Sequence, residues 1–341
     1  MTEIILIPLI KIVVVLIVLL TTVAYTVLVE RKLAAAIQNR IGPNRVGWKG
    51  LLQPLADVLK LVMKEDIVPR QANRFIHDLA PVISIGVALT TFAVVPFGDR
   101  ITVFGREIKL QIANVNIGIL YILALTSLGV YGITLSGWSS NSKYSLLGGL
   151  RSSAQMISYE LSMGISVIGV IMIAGSLQLD KIVEAQGGWS WNILLQPIGF
   201  ITFLVSSFAE TNRLPFDLPE AEPEPVGGYH TDYSGLKFGL FFLAEYANMV
   251  TASAIITTLY LGGWQLPFVH SFGLPELTVS ILQVAAFCIK VVVLVLFFIV
   301  IRWTLPRFRY DQLMKLGWKV MLPLSILNLI ATGAAILLRW I

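Results

Sequence analysis

The chain has 341 residues, of which 56% are hydrophobic and only 13% charged, and its mean hydropathy is +0.79. Soluble domains rarely have this composition, so we expect a membrane protein. The chain contains no P-loop, no G-x-G-x-x-G after a strand, and a single cysteine, Cys288. An ATP site, a nicotinamide or flavin site and an iron–sulfur cluster, which needs about four thiolates, are therefore not predicted, nor is a metal site.

Eight long apolar runs predict an all-α polytopic bundle that forms a single membrane-embedded domain over residues 1–341. About 20 helical residues cross a hydrocarbon core of about 30 Å, and each run approaches or exceeds that length. The predicted spans are residues 4–29, 76–96, 112–135, 155–177, 191–209, 237–262, 277–301 and 318–338. The first run lacks the basic start of a cleaved signal peptide, so we expect it to remain as a span.

Lysine and arginine are distributed unevenly between the segments that join the spans. Eighteen of the 25 lie after spans 1, 3, 5 and 7, and five lie on the opposite side. Because positively charged loops stay in the cytoplasm, both termini are predicted on the outer side of the membrane, which is the periplasmic side in a bacterial cytoplasmic (inner) membrane. The net charge of +5 is thus a topology signal, and no nucleic-acid partner is expected.

The long segment after span 1 contains an amphipathic stretch, LLQPLADVLKLVMKED at residues 51–66. Its apolar residues recur at helical spacing, while Asp57, Lys60 and Lys64 lie largely on other faces. We expect an interfacial amphipathic helix, for which two interpretations stay open. One is a simple membrane anchor, and the other is a shaped cytoplasmic mouth through which a lipid-like molecule enters beside span 1.

Six acids stand together in ETNRLPFDLPEAEPEPVGGYHTDYSG, residues 210–235, where Arg213 is the only arginine or lysine. Four prolines forbid a continuous helix, so Glu220, Glu222 and Glu224 are expected on one face of an extended segment. One interpretation is a solvated acidic loop. The apolar residues between the acids favour a partly desolvated cluster that loads and releases protons, because like charges raise one another's proton affinity.

Ionisable residues also occur inside the predicted spans, where they are costly and mark functional sites by default. Glu160 in span 4 and Glu245 in span 6 are expected roughly 8 and 12 Å inside the cytoplasmic ends, at about 1.5 Å per residue. Glu210 ends span 5 on the same side, and Lys290 lies deeper, near the midplane of span 7. These residues predict a ladder that leads protons toward the midplane. The alternative for Glu160 and Glu245 is a structural, hydrogen-bonded role.

Five long motifs follow one another between about residue 30 and residue 323. They are ERK…NRIGPNRVGWKGLLQPLADVLKLVMKED, GLRSSAQMISYELSMG, ETNRLPFDLPEAE, GYHTDYSGLKFGLFFLAEYANM and LPRFRYDQLMKLGWK. In this order they resemble the H subunit of bacterial NADH–quinone oxidoreductase, the respiratory complex I, whose mitochondrial counterpart is NADH dehydrogenase subunit 1. The resemblance extends over most of the chain and is far more specific than a shared hydropathy profile.

The resemblance implies a membrane subunit beneath a hydrophilic arm, whose quinone substrate is reduced by the terminal iron–sulfur cluster of a neighbouring subunit. NADH, FMN and the iron–sulfur clusters would belong to partner subunits, while small membrane subunits and lipid would adjoin this chain, which would bind no cofactor by itself. The implied quinone tunnel and mouth include Glu30, Arg31, Asp57, Lys60, Glu65, Arg302, Arg307, Arg309 and Asp311. The implied proton path includes Glu160, Glu210, Asp217, Glu220, Glu222, Glu224, Glu245 and Lys290.

The acidic loop departs from the family pattern, because Pro223 and Pro225 stand where the family usually has serine and leucine, and the two prolines stiffen the chain. The nearest rival is the related subunit of a membrane-bound hydrogenase or formate hydrogenlyase, which lacks quinone. The complete motifs of the first loop and FRYDQLM argue against it. A separate ion-coupled transporter would show broken helices in repeated halves, and a passive scaffold would not need buried glutamates at several heights.

Overall fold

The computed structural model describes residues 2–103, 106–188, 190–217, 228–267 and 275–338. Its helices in chain order are α1 (Thr2–Ile37), α2 (Gln53–Met63), α3 (Arg74–Thr91), α4 (Gly118–Ser139), α5 (Lys143–Ala174), α6 (Leu179–Ala185), α7 (Asn192–Leu195), α8 (Pro197–Glu210), α9 (Gly235–Tyr260), α10 (Glu276–Thr304), α11 (Tyr310–Lys315) and α12 (Leu322–Leu337). A π-helical turn, Leu316–Met321, joins α11 to α12. Strands β1 (Arg100–Val103) and β2 (Arg106–Lys109) pair antiparallel, with Arg100 opposite Lys109.

Seven helical stretches within the described ranges are long and apolar enough to cross a membrane. They are Leu6–Ile37, Arg74–Val94, Gly118–Ser139, Lys143–Ala174, Gly235–Tyr260, Glu276–Thr304 and Tyr310–Leu337. The predicted polytopic helical class is therefore confirmed. The remaining predicted span, residues 191–209, corresponds to α7 and the 14-residue α8. At about 1.5 Å per residue α8 is too short to cross by itself, so the count of eight spans stays a prediction, as do the sides of the termini.

Helix α5 begins at Lys143, well before the predicted residue 155. The small and polar residues of its first turns, such as Ser145 and Gly148, are buried against protein. A Cβ on Gly148 would lie 2.6 Å from the Cα of Gly228, and one on Gly137 would lie 2.5 Å from the carbonyl oxygen of Ser145. Such close approaches admit only glycine, and they bury the polar face of α5 against α4 and the segment before α9. Hydropathy alone does not distinguish such a buried polar face from a loop.

The bundle is built around α3, α4, α5, α8, α9 and α12, and α1 lies at its edge against α9 and α10. Large side chains such as Tyr159, Met249 and Phe298 are fully buried in its core. Helix α1 leaves much of its apolar surface exposed, with Ile17 60% exposed, and sends its C-terminal end into the bundle. The predicted helix at residues 51–66 is present as α2, none of whose residues is buried. The β1–β2 hairpin was not predicted, because strands of four residues are too short for alternation to stand out.

Candidate functional site

A cluster of charged side chains lies buried where α1, α9 and α10 meet the turn after α8. Arg213, at its centre, is only 2% exposed. The turn follows the end of α8 at Glu210. The amide of Arg213 donates to the carbonyl of Phe208 at 3.3 Å, and the amide of Phe216 donates to the carbonyl of Arg213 at 2.8 Å. This turn directs the guanidinium into the bundle, between two carboxylates.

The first of these carboxylates is Glu30, which is 4% exposed near the C-terminal end of α1. Its Oε2 accepts hydrogen bonds from Nη1 of Arg213 at 3.1 Å and from the Tyr246 hydroxyl at 2.7 Å. Its Oε1 accepts one from Nη1 of Arg302 at 2.5 Å. Two guanidinium groups and a phenol therefore compensate a carboxylate that has been removed from water.

The second carboxylate is Glu245, whose Oε1 lies 2.8 Å from Nε of Arg213. The guanidinium carbon of Arg213 also lies 4.0 Å from the centre of the Tyr246 ring, a cation–π contact. Burial by itself lowers the pKa of Arg213, but the carboxylates of Glu245 and Glu30 raise that pKa above its ordinary value. Arg213 therefore stays charged and is shared between two glutamates.

The structure thus brings together residues that the sequence analysis assigned to two different regions. Glu30 and Arg302 were expected at the quinone mouth, and Glu245 was expected in the proton path. Arg213 joins them, and neither Arg213 nor Tyr246 was assigned to a site. The available signals were that Arg213 is the only arginine or lysine among six acids and that Tyr246 directly follows a glutamate inside a span.

The other two glutamates inside the bundle, Glu160 of α5 and Glu210 of α8, meet at α4. The Ser127 hydroxyl donates to Glu160. Thr126, the residue before it, lines one cavity together with Glu210. Two consecutive residues of α4 therefore face a pair of acids, one from each neighbouring helix.

A cavity of about 80 Å³ lies between α3, α4, α5, α8 and α9, and both Glu210 and Glu245 line it. Thr251 and Asn248 add polar groups to walls that are otherwise mostly apolar. The hydroxyl of Thr251 has no hydrogen-bond partner among the described residues. Since a single water needs about 10–15 Å³ on this measure, the cavity has room for several waters between the two glutamates.

The other residues expected at the mouth, which lie on α2 and at the end of α1, are more exposed than the central network. Arg31 donates to Asp57 at 2.6 Å and so links α1 to α2. Lys60 and Glu65 are exposed. Among the described residues, no group of three or more His, Cys, Asp or Glu could hold a metal ion.

The loop after α10 supplies two further ion pairs. Arg307 lies 3.4 Å from Asp217, a carboxylate whose residue is 2% exposed. Arg309 and Asp311 form an exposed pair at 2.5 Å. Glu220, Glu222 and Glu224, which were expected to share one face, lie outside the described residues.

Lys290 is held by backbone carbonyls. Its ammonium donates to the carbonyl oxygens of Leu261, Gly263 and Gln265 at 2.8, 2.9 and 2.8 Å, and it lies 4.6 Å from the centre of a Trp191 ring. The lysine thus satisfies carbonyls just beyond the C-terminus of α9. This contact accounts for a lysine at this depth, and the role of Lys290 in a proton path stays a prediction.

A polytopic helical bundle with buried ion pairs is typical of membrane proteins that couple charge movement to another process. Residues 10–333 match the family model described as NADH dehydrogenase, and the chain belongs to this family. NADH-quinone oxidoreductase subunit 8 of Rhodothermus marinus is 55% identical over 93% of this chain and 94% of its own length. The first H subunit of the NADH-quinone oxidoreductase of Geobacter sulfurreducens is 53% identical, over 96% and 94%, and that of Cytophaga hutchinsonii is 52% identical, over 92% of both. The resemblance seen in the sequence motifs is thereby confirmed.

Proposed function

We propose that the chain is the H-type membrane subunit of a proton-translocating NADH–quinone oxidoreductase. It lies in a bacterial cytoplasmic membrane with both termini on the periplasmic side, next to small membrane subunits, lipid and hydrophilic-arm subunits. Those partners hold NADH, FMN and the iron–sulfur clusters, and the quinone is the substrate. The names of relatives at 52–55% identity over nearly the whole chain support this assignment.

In this proposal the first function of the protein is to form the quinone tunnel with the hydrophilic arm. The mouth lies between α1 and α2, where Arg31 and Asp57 form an ion pair and Lys60 and Glu65 face outward. Deeper polar positions come from Glu30 and from Arg302 near the end of α10, and the residues after α10 add Arg307, Arg309 and Asp311. The apolar side chains of α2 accompany the quinone tail.

The second function is to pass charge from the tunnel into the membrane. The observation that supports this proposal is that Arg213 pairs with both Glu30 and Glu245. Reduction of a quinone to a quinol consumes two electrons and two protons. A change of charge in the tunnel alters how strongly Glu30 holds Arg213. A guanidinium that moves toward one glutamate releases the other, so the protonation of Glu245 responds to chemistry beside Glu30.

From Glu245 the proposed path runs through the cavity to Glu210 and then to Glu160. Waters in the cavity carry the proton between the first two carboxylates. Thr126 and Ser127 are consecutive in α4 and bring the last two close together, since Ser127 donates to Glu160 and Thr126 lines the cavity with Glu210. Asp217 and the loop acids Glu220, Glu222 and Glu224 supply protons to its beginning, and Lys290 is its deepest member.

Replacing Glu245 by glutamine tests the path, because it preserves size and hydrogen bonding but removes the exchangeable acid. In the assembled complex, quinone reduction and proton translocation are expected to fall together, by at least about tenfold. Oxidation of NADH by an artificial acceptor should persist, because electrons then leave before they reach this subunit. A variant that pumps and turns over like the wild type at several pH values would make Glu245 structural.

Replacing Arg31 by alanine tests the mouth. The apparent KM for a short-tailed quinone should rise, while NADH oxidation by the artificial acceptor changes little. An equal loss in both assays would indicate failed assembly. Co-purification in mild detergent distinguishes this proposal from the alternative of a membrane-bound hydrogenase subunit. The proposal requires that flavin and iron–sulfur proteins co-purify with the chain and that the preparation has quinone reductase activity.

A further inference from the structure

The end of α2 is fastened to the start of α9 through backbone hydrogen bonds. The hydroxyl of Ser234 accepts from the amide of Ile67 and donates to the carbonyl of Glu65, both at 2.9 Å. One side chain therefore satisfies both a donor and an acceptor in the segment that leaves α2. Such a two-sided contact fixes the path of that segment more tightly than a single hydrogen bond would.

An ion bridge lies one turn further along α9. The ammonium of Lys237 is 2.7 Å from Oδ2 of Asp66 and 2.6 Å from Oδ1 of Asp78. The lysine side chain is only 17% exposed, whereas the two aspartates are 50% and 58% exposed. One lysine of α9 therefore holds the segment after α2 and the N-terminal part of α3 together.

Two glycines let α2 approach this part of α9 closely. A Cβ on Gly239 would lie 2.9 Å from the side chain of Leu61, and one on Gly235 would lie 3.1 Å from the carbonyl oxygen of Lys64. Gly235 also has a φ of +55°, which other residues adopt with strain. The sequence of α9 is thus shaped to receive the C-terminal end of α2.

Elsewhere α2 is weakly held. None of its residues is buried, and apolar side chains such as Leu55, Val58 and Leu59 are more than half exposed. Its side-chain link to α1 is the ion pair of Arg31 with Asp57, whose side chains are 43% and 26% exposed. The position of α2 relative to α1 therefore depends strongly on the fastening at α9.

We propose that Ser234 and Lys237 are positioning residues that hold α2 at a fixed distance from α1 and so set the width of the opening between them. The inference rests on the proposed quinone tunnel, since the molecule that passes this opening is a quinone with its isoprenoid tail. Neither residue touches the reacting head group. Their effect is on entry, which depends on tail length.

The test compares Lys237→Met with Lys237→Arg and Lys64→Met in the assembled complex. Lys64 is a control of the same residue type, because it lies directly after α2, beside the fastened segment, and forms no ion pair with the described residues. Lys237→Met should raise the apparent KM for a long-tailed quinone about fivefold, with a smaller rise for a short-tailed one and kcat within about twofold. Lys237→Arg should restore most of the wild-type KM, and Lys64→Met should leave it unchanged. A KM that does not move in Lys237→Met, or that moves equally in Lys64→Met, overturns the inference.

A second measurement is independent of quinone. Hydrogen–deuterium exchange in the same complexes should speed up for the amides of residues 53–67 in Lys237→Met and in Ser234→Ala, but not in Lys64→Met. Unchanged exchange would mean that the two residues do not hold α2. Faster exchange with an unchanged KM would mean that α2 does not set the opening. Failure of the proposed function itself would look different, since none of the complexes, the wild type included, would then reduce quinone.

Discussion

Replacing Arg213 by methionine tests the buried ion network directly. Methionine keeps much of the volume of the arginine stem but leaves Glu30 with one cationic partner fewer and removes the described ion-pair partner of Glu245. Because Arg213 is 2% exposed, bulk water does not reach the position of the lost guanidinium. Breaking a buried pair by removing one member costs about 3–5 kcal/mol, and the lost cation–π contact with Tyr246 adds to this. The expected fall in the unfolding midpoint is on the order of 5–10 °C.

The assay is thermal unfolding of the purified complex, followed by fluorescence at several pH values, together with quinone reductase activity. The loss should be smaller at pH 5 than at pH 8, because a protonated carboxyl needs no cationic partner. Arg100→Met is the control: this arginine lies in the hairpin, 59% exposed, and pairs with Glu107 at 3.0 Å, so its loss should leave the midpoint almost unchanged. The reasoning is refuted if Arg213→Met unfolds at the wild-type temperature, or if its loss is the same at both pH values.

Gly148→Ala should destabilise the protein by about 1–3 kcal/mol, because the new methyl group meets backbone atoms. Gly164→Ala should not, because Gly164 has open space around it. Thermal unfolding of the two variants distinguishes these outcomes. Lys290→Met should lower the free energy of unfolding by about 1–3 kcal/mol, because three carbonyls lose their donor. Slower proton translocation with an unchanged unfolding midpoint would instead place this lysine in the proton path. Ser127→Ala removes the hydrogen bond to Glu160 and should slow proton translocation while NADH oxidation by an artificial acceptor persists; normal pumping would show that this contact is structural.

Most of the fold could be predicted from the sequence because lipid-facing helices appear as long apolar runs. The runs that became α1 and α10 are continuous and apolar, and the structure confirms them as helices long enough to span. The first turns of α5 were missed, since their polar face is buried against other helices. Hydropathy reports the average surroundings of a residue and not the direction in which it points.

The candidate site could be predicted only in its parts. Glu30 and Glu245 were noticed individually, as charged residues in apolar helices or in a recognised motif. Their connection through Arg213 depends on how α1, α9 and the turn after α8 are rotated toward one another, and periodicity carries no information on that rotation. The contacts of Lys290 could not be predicted for a different reason. Its hydrogen-bond acceptors are backbone carbonyls, and the sequence of side chains does not show which carbonyls will be available.

The partners of Glu30 have a consequence for how the protein is made. Its three described hydrogen-bond partners lie 183, 216 and 272 residues further along the chain. At a synthesis rate of about 5–20 residues per second, roughly 15 to 55 seconds separate the translation of Glu30 from that of Arg302. During that interval α1 can enter the membrane but cannot be locked in place. Helix α1 is therefore synthesised before the residues that fix it, and a chain truncated before α10 should lack the contact of Arg302 with Glu30 and hold α1 less firmly.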